Sequence, residues 1–187
     1  MPYTGVKRRV FISYYHADQD EVDEFIKKWS EEEKVFSPRA IGISDNDDLI
    51  DSTDTDYVMN QIRTKYLGDS TVTIVLIGKC THSRRYVDWE IKSSLRQGSY
   101  TPNGLLGILL PSMGKSAYLP DRFKENWNEQ NSNSYARFYV APTTAAQLGS
   151  WIEDAFAART SRCQHIVNTQ IMMKYNGKCF ECGGKTH

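Results

Sequence analysis

Short apolar runs alternate along this chain with segments of helical periodicity, which predicts an α/β fold. Three observations carry that reading. Residues 71–77, Thr-Val-Thr-Ile-Val-Leu-Ile, are almost continuously apolar and rich in β-branched side chains, as suits a central strand buried on both faces. Residues 105–110, Leu-Leu-Gly-Ile-Leu-Leu, read the same way and stop at Pro111. Between such runs, apolar residues recur at helical spacing, as at Val22, Phe25, Ile26 and Trp29.

Taken in order, Val10-Phe11-Ile12 forms a first strand that runs into the polar Ser13-Tyr14-Tyr15-His16. Asp18 with Glu21 marks a helix start. A second strand spans residues 35–43, weakened by Pro38 and Arg39. Asp45, Asp47, Asp48, Asp51, Asp54 and Asp56 follow with no cation among them, and then Val58, Met59, Ile62 and Tyr66 at helical spacing. After the third strand, Ser83 is placed to cap a helix running to Gln97, with Val87, Ile91 and Leu95 inward and Gly98 as its stop. Residues 112–135 read as a long polar loop, 137–140 as a last short strand, and about 144 onward as a helix with Leu148, Trp151, Ile152, Ala155 and Phe156 on one side. Right-handed crossovers then favour a flavodoxin-like, doubly wound, mostly parallel five-stranded sheet of order 2-1-3-4-5, with helices on both faces. The expected division is 1–159 for this domain and 160–187 for a helical, Cys-containing tail.

Composition narrows the classes. The chain has 187 residues, 23 Lys+Arg against 23 Asp+Glu, and 12% aromatics. Its pI is near 6.9 and its mean hydropathy −0.56. The balanced charge argues against a nucleic-acid partner, and the apolar content against disorder. No apolar run approaches the ~18 residues of a membrane span, and no signal-peptide segment follows the first residues. Four Cys without such a signal point to reduced thiols in the cytoplasm.

In the expected strand order, ligands bind at the carboxyl ends of the strands beside the switch between strands one and three. Ser13, Tyr14 and His16 meet residues 78–85 there, and the second strand delivers Asp45. Standard occupants fail: there is no GxxxxGK[ST], no GxGxxG after the first strand, and no phosphate loop of flavodoxin type. A phospho-accepting Asp is missing where Ile77-Gly78 stands, and the Asp-rich stretch does not fit a Ca²⁺ loop.

Arg9-Val10-Phe11-Ile12-Ser13-Tyr14, the strand at 71–78, and Arg84-Arg85-Tyr86-Val87-Asp88-Trp89-Glu90-Ile91 together resemble a TIR-like domain, in particular the TIR proteins of the bacterial Thoeris antiphage system. The resemblance implies an NAD⁺ glycohydrolase or ADP-ribosyl cyclase, with NAD⁺ as substrate and no metal required. It places the catalytic carboxylate at Glu90, on the helix after the third strand. Spacing alone also allows Glu90 to be an ordinary helix Glu. The cofactor-binding candidates are Ser13, Tyr14, His16, Asp45, Arg84 and Trp89. The partners implied are an effector protein reached by a diffusible nucleotide, a phage-derived trigger and further copies of the chain, with no membrane. The competing reading is a non-catalytic interaction or nucleotide-sensing module.

At the far end, Cys179-x2-Cys182-x4-His187 supplies three ligands of a zinc knuckle but lacks the fourth Cys, with Cys163 or His165 as conceivable completions. The missing ligand favours a disordered or thiol-bearing appendage, and no metal ligand is assigned.

Overall fold

The computed structural model describes residues 3–41 and 54–187. Its main sheet holds β1 (Arg8–Ser13), β2 (Phe36–Ile41), β3 (Val72–Ile77), β4 (Gly104–Leu109) and β5 (Arg137–Tyr139). All neighbours are parallel and the order is β2-β1-β3-β4-β5, as the crossover argument requires. Pro38 is tolerated because β2 is an edge strand and its register against β1 shifts between Val10 and Ile12.

The pleat divides the core. Val10, Ile12, Val72, Ile74 and Leu76 face α1 (Gln19–Ile26) and α5 (Ala145–Ser161), against Phe25, Trp29, Leu148 and Ile152. Alternate residues Phe11, Val75 and Ile77 face the opposite layer, built from α2 (Thr55–Ile62), α3 (Arg85–Ser94) and α4 (Asp121–Asn126). Gly104 belongs to the close approach of β4 and α5, where a Cβ would run into the Ala155 carbonyl.

The structure departs from the sequence reading at four local points. Asp18 occupies the N-cap position of α1, but its side chain makes no cap bond. Ser83 does not cap α3: its hydroxyl donates to the Cys80 carbonyl at 2.9 Å inside a 3-10 turn, and the helix begins two residues later at Arg85. It ends at Ser94, short of Gly98. The polar stretch 112–135 contains α4, whose Phe123 is buried in the second core layer.

Residues 162–187 are packed against α3 and α4 rather than loose. Nine of the ten α3 residues are buried, since the sheet covers one side and this segment the other. A helix buried all round that carries Asp88, Glu90 and Lys92 must give each charge partners. The node is Arg122 of α4, 0% exposed. Its Nε and Nη2 donate to Asp88 at 2.8 and 3.3 Å. The remaining N–H groups donate to Asn168 Oδ1 and to the Gln170 and Ile171 carbonyls at 3.1, 3.2 and 3.3 Å. All five guanidinium N–H groups are thereby used. Asp88 also accepts from Met173 N at 2.9 Å, and Lys92 donates to the carbonyls of Asn168 and Gln170.

Arg122→Ala is expected to cost about 3–5 kcal/mol, because Asp88 is left charged and buried without its partner. The exposed Lys124–Asp121 pair supplies the control, where Lys124→Ala should cost under ~1 kcal/mol. Urea denaturation of the two variants measures both.

Candidate functional site

Ser13 ends β1 and is fully buried; its Oγ donates to Glu90 Oε2 across 2.5 Å. The bond joins the carboxyl end of β1 to the middle of α3. Ser13 pairs in register with Val75 of β3, so the contact stands at the β1/β3 junction where the strand order reverses. Glu90 is only 1% exposed, although its place in the helix also allowed a solvent-facing residue.

Tyr14 follows Ser13 and turns to the other face, packing against the α1/α5 layer while its hydroxyl donates to Gln19 Oε1 at 2.5 Å. His16 is exposed, with its ring edge-on to Tyr15 at 4.5 Å. Asp45 lies outside the described residues. Trp89 is buried among Phe11, Val58, Met59 and Met172, and its indole N–H donates to the Met173 carbonyl at 2.7 Å. Arg85 lies over the Tyr86 and Trp89 rings and donates toward the Lys174 carbonyl. The structure thus joins Ser13 to Glu90, and turns Tyr14 and Trp89 into separate packing environments.

Arg84 stands at the N-cap of α3, 5% exposed, with its guanidinium 3.7 Å from the centre of the Tyr15 ring. Nη1 donates to the His187 main-chain oxygen at 2.9 Å. Nε and Nη2 are buried and have no hydrogen-bond partner among the described residues. A cation with two unused donors at a helix N-terminus is suited to an anionic group.

Asp18 is the residue that sequence reasoning misplaced. Its carboxylate lies over Gly78, where any Cβ would collide with it, rather than over the α1 N-terminus. Burial, then repulsion from Glu21, raises its pKa from the ordinary 3.8 to about 6, against an opposing pull from Arg84. Only the missing side chain at Gly78 admits this approach, and a lone glycine after a strand does not announce it.

A second convergence is also present. Cys80, in the loop after β3, lies with Cys179, Cys182 and His187, their ligand atoms all within 4.8 Å of one another. Cys163 is elsewhere, its carbonyl accepting from Gln97 and its side chain against the second core layer, and His165 is exposed. Two cavities, of about 730 Å³ beside Trp127 and Phe138 and about 500 Å³ beside His82 and Phe180, are lined by neither Ser13 nor Glu90.

Residues 11–115, more than half of the chain, match the family described as Thoeris protein ThsB, TIR-like domain. The chain belongs to this family. The matched span runs from β1 past β4 and takes in Ser13, Arg84 and Glu90. No curated protein matches the chain. Among the described residues no helix is long and apolar enough to cross a membrane.

Asp18 yields a pH prediction. With its folded pKa above the unfolded value, the folded chain holds a proton between about pH 4 and 6 that the unfolded chain has released. Stability contributed by this group therefore falls as pH rises through that window. Asp18→Asn should raise the thermal midpoint near pH 7.5, with the gain fading toward about pH 4. Thermal melts across that range check the sign, and a loss near pH 7.5 would mean that attraction to Arg84 outweighs burial.

Proposed function

We propose that the chain is an NAD⁺-cleaving enzyme of the TIR type that releases nicotinamide and makes an ADP-ribose-derived, cyclic signal nucleotide in antiviral defence. The observation that carries the reading is the Ser13–Glu90 pair, a buried carboxylate oriented by a hydroxyl at the β1/β3 switch point. Membership of the family supports it, and so does Arg84, two of whose donor nitrogens have no partner among the described residues.

In this reading the bond between the ribose C1′ and the nicotinamide nitrogen breaks, and its electron pair leaves with nicotinamide as a neutral molecule. The leaving group needs no proton, so one carboxylate suffices. Positive charge builds at C1′ and the ring oxygen, where Glu90 stabilises it and accepts a hydrogen bond from a ribose hydroxyl. Ser13 holds the carboxylate in one orientation, so the transition state is met without reorganisation. Arg84 takes the pyrophosphate at the α3 N-terminus. Capture of C1′ by a nucleophile of the same molecule gives a cyclic product, with loss of that nucleophile's proton, and capture by water gives ADP-ribose. The product then acts on an effector protein as a diffusible nucleotide, in the cytoplasm, after a phage-derived trigger or self-association has opened the site.

One observation favours a second reading, a module that binds a nucleotide or a partner without turnover: Glu90 is 1% exposed and already bonded to Ser13. Nicotinamide release decides between them. In the presence of extract from phage-infected cells, the intact chain should release nicotinamide from NAD⁺, and Glu90→Gln should slow release by roughly 10²–10³-fold. Ser13→Ala, which removes one orienting hydrogen bond, should lower kcat by about tenfold with little change in KM. No release by the intact chain would overturn the enzyme reading, and release unaffected by Glu90→Gln would remove Glu90 from the chemistry.

A further inference from the structure

The structure assigns a closed zinc site to Cys80, Cys179, Cys182 and His187, which fastens the last segment of the chain to the loop between β3 and α3. Three thiols and one imidazole form a familiar structural zinc set, and the four donor atoms lie within 4.8 Å of one another. A tetrahedron with Zn–S of ~2.3 Å has S···S edges of ~3.8 Å. The Cys80 Sγ to Cys182 Sγ distance is 3.4 Å and that to Cys179 Sγ is 2.7 Å, so an ion at the centre requires these two pairs to spread by about 0.4 and 1.1 Å.

The local backbone is built for such a site. β6 (Lys178–Cys179) and β7 (Lys185–Thr186) form an antiparallel hairpin of two residues per strand, far too short to persist by itself. Gly183 and Gly184, at φ of 67° and 81°, curl the chain beneath Cys182, and Gly184 N donates to the Cys179 carbonyl at 2.9 Å. This turn returns His187 to the two hairpin sulfurs. Cys80 arrives from 99 residues earlier in the chain and closes the set. Cys80 and Cys179 are both buried, while Cys182 is half-buried and His187 exposed, so an ion can enter from the His187 side. Four protein donors leave no open position, which makes the site structural rather than catalytic.

Binding is balanced without an oxidant: Zn²⁺ displaces three thiol protons to solvent, giving three thiolates and a neutral imidazole with one net negative charge. Lys79, next to Cys80, and Lys185, in β7, offset it. The mechanical consequence reaches Arg84. The His187 main-chain oxygen that accepts from Arg84 belongs to a ligand residue, and Gly177 N donates to the Ser83 carbonyl at 2.7 Å. Zinc therefore holds both the hairpin and the turn that leads into α3.

Metal content of the full chain, purified with reductant and without added metal, tests the assignment. About one zinc per chain is expected, falling below about a tenth of that in Cys80→Ser and in Cys182→Ser, while Cys163→Ser keeps it. Cobalt added to the chelated wild-type chain should give the thiolate charge-transfer and tetrahedral d–d bands of a three-sulfur, one-nitrogen site, a readout that stands even if a variant fails to fold. Chelation should also speed protease cleavage within residues 174–187 at least tenfold. Iron in place of zinc, a Cys80–Cys179 disulfide found by mass spectrometry under the same reducing conditions, no tetrahedral cobalt spectrum, or zinc retained by Cys80→Ser would each overturn the assignment.

Discussion

A guanidinium taken wholly out of water needs an acceptor for every N–H, and Arg122 finds two of its five on Asp88 and three on residues 168–171. The arrangement ties α3, α4 and the segment after α5 into one unit. Because Asp88 also accepts from Met173 N, neither α3 nor that segment can shift without stranding a buried charge. The same constraint lets α3 be buried on all sides while it carries Asp88, Glu90 and Lys92. Glu90 is two residues from Asp88, so its position against Ser13 is inherited from the ion pair.

From this fixed helix the rest of the site follows. Its N-terminal end presents Arg84, stacked on Tyr15 and held by the His187 main-chain oxygen, and its middle presents Glu90 to the end of β1. Asp18 reaches the same region over Gly78, where burial raises its pKa to about 6. Cation, carboxylate and strand end therefore converge on the β1/β3 switch point, the place where open α/β sheets hold their ligands. The segment 162–187 is thus continuous with the site rather than an addition to it.

The parts of this structure written in local pattern were legible from residues alone. The β-branched run ending at Ile77, the stripe at Val22, Phe25, Ile26 and Trp29, and Thr144 before the last helix, where its side chain accepts from Gln147 N, all read directly into elements. Strand order followed from handedness, and Ser13 and Glu90 were named as candidates. What escaped depends on distance through space. Periodicity made Glu90 a residue offset from the Val87, Ile91, Leu95 stripe, and only the overlying segment explains its burial. Asp18 has the residue type and position of a helix cap, and its turn toward Gly78 has no signature. Cys80 stands 99 residues from Cys179, and no spacing rule joins a lone Cys after a strand to a distant C-x2-C pair. Arg122 lay in a stretch that read as a polar loop, because its partners, the Asp88 carboxylate, the Asn168 side chain and two main-chain carbonyls, lie 34 to 49 residues away in the sequence.

The proposed place for NAD⁺ is where β1 meets α3. Hydrogen–deuterium exchange on Glu90→Gln, with and without NAD⁺, is the test, since under the proposed mechanism this variant should hold substrate without consuming it. Slowed exchange is expected in peptides covering residues 14–18 and 78–85, with little change elsewhere. Protection confined to residues 115–140, around the cavity beside Trp127 and Phe138, with none at 14–18 or 78–85, would contradict it.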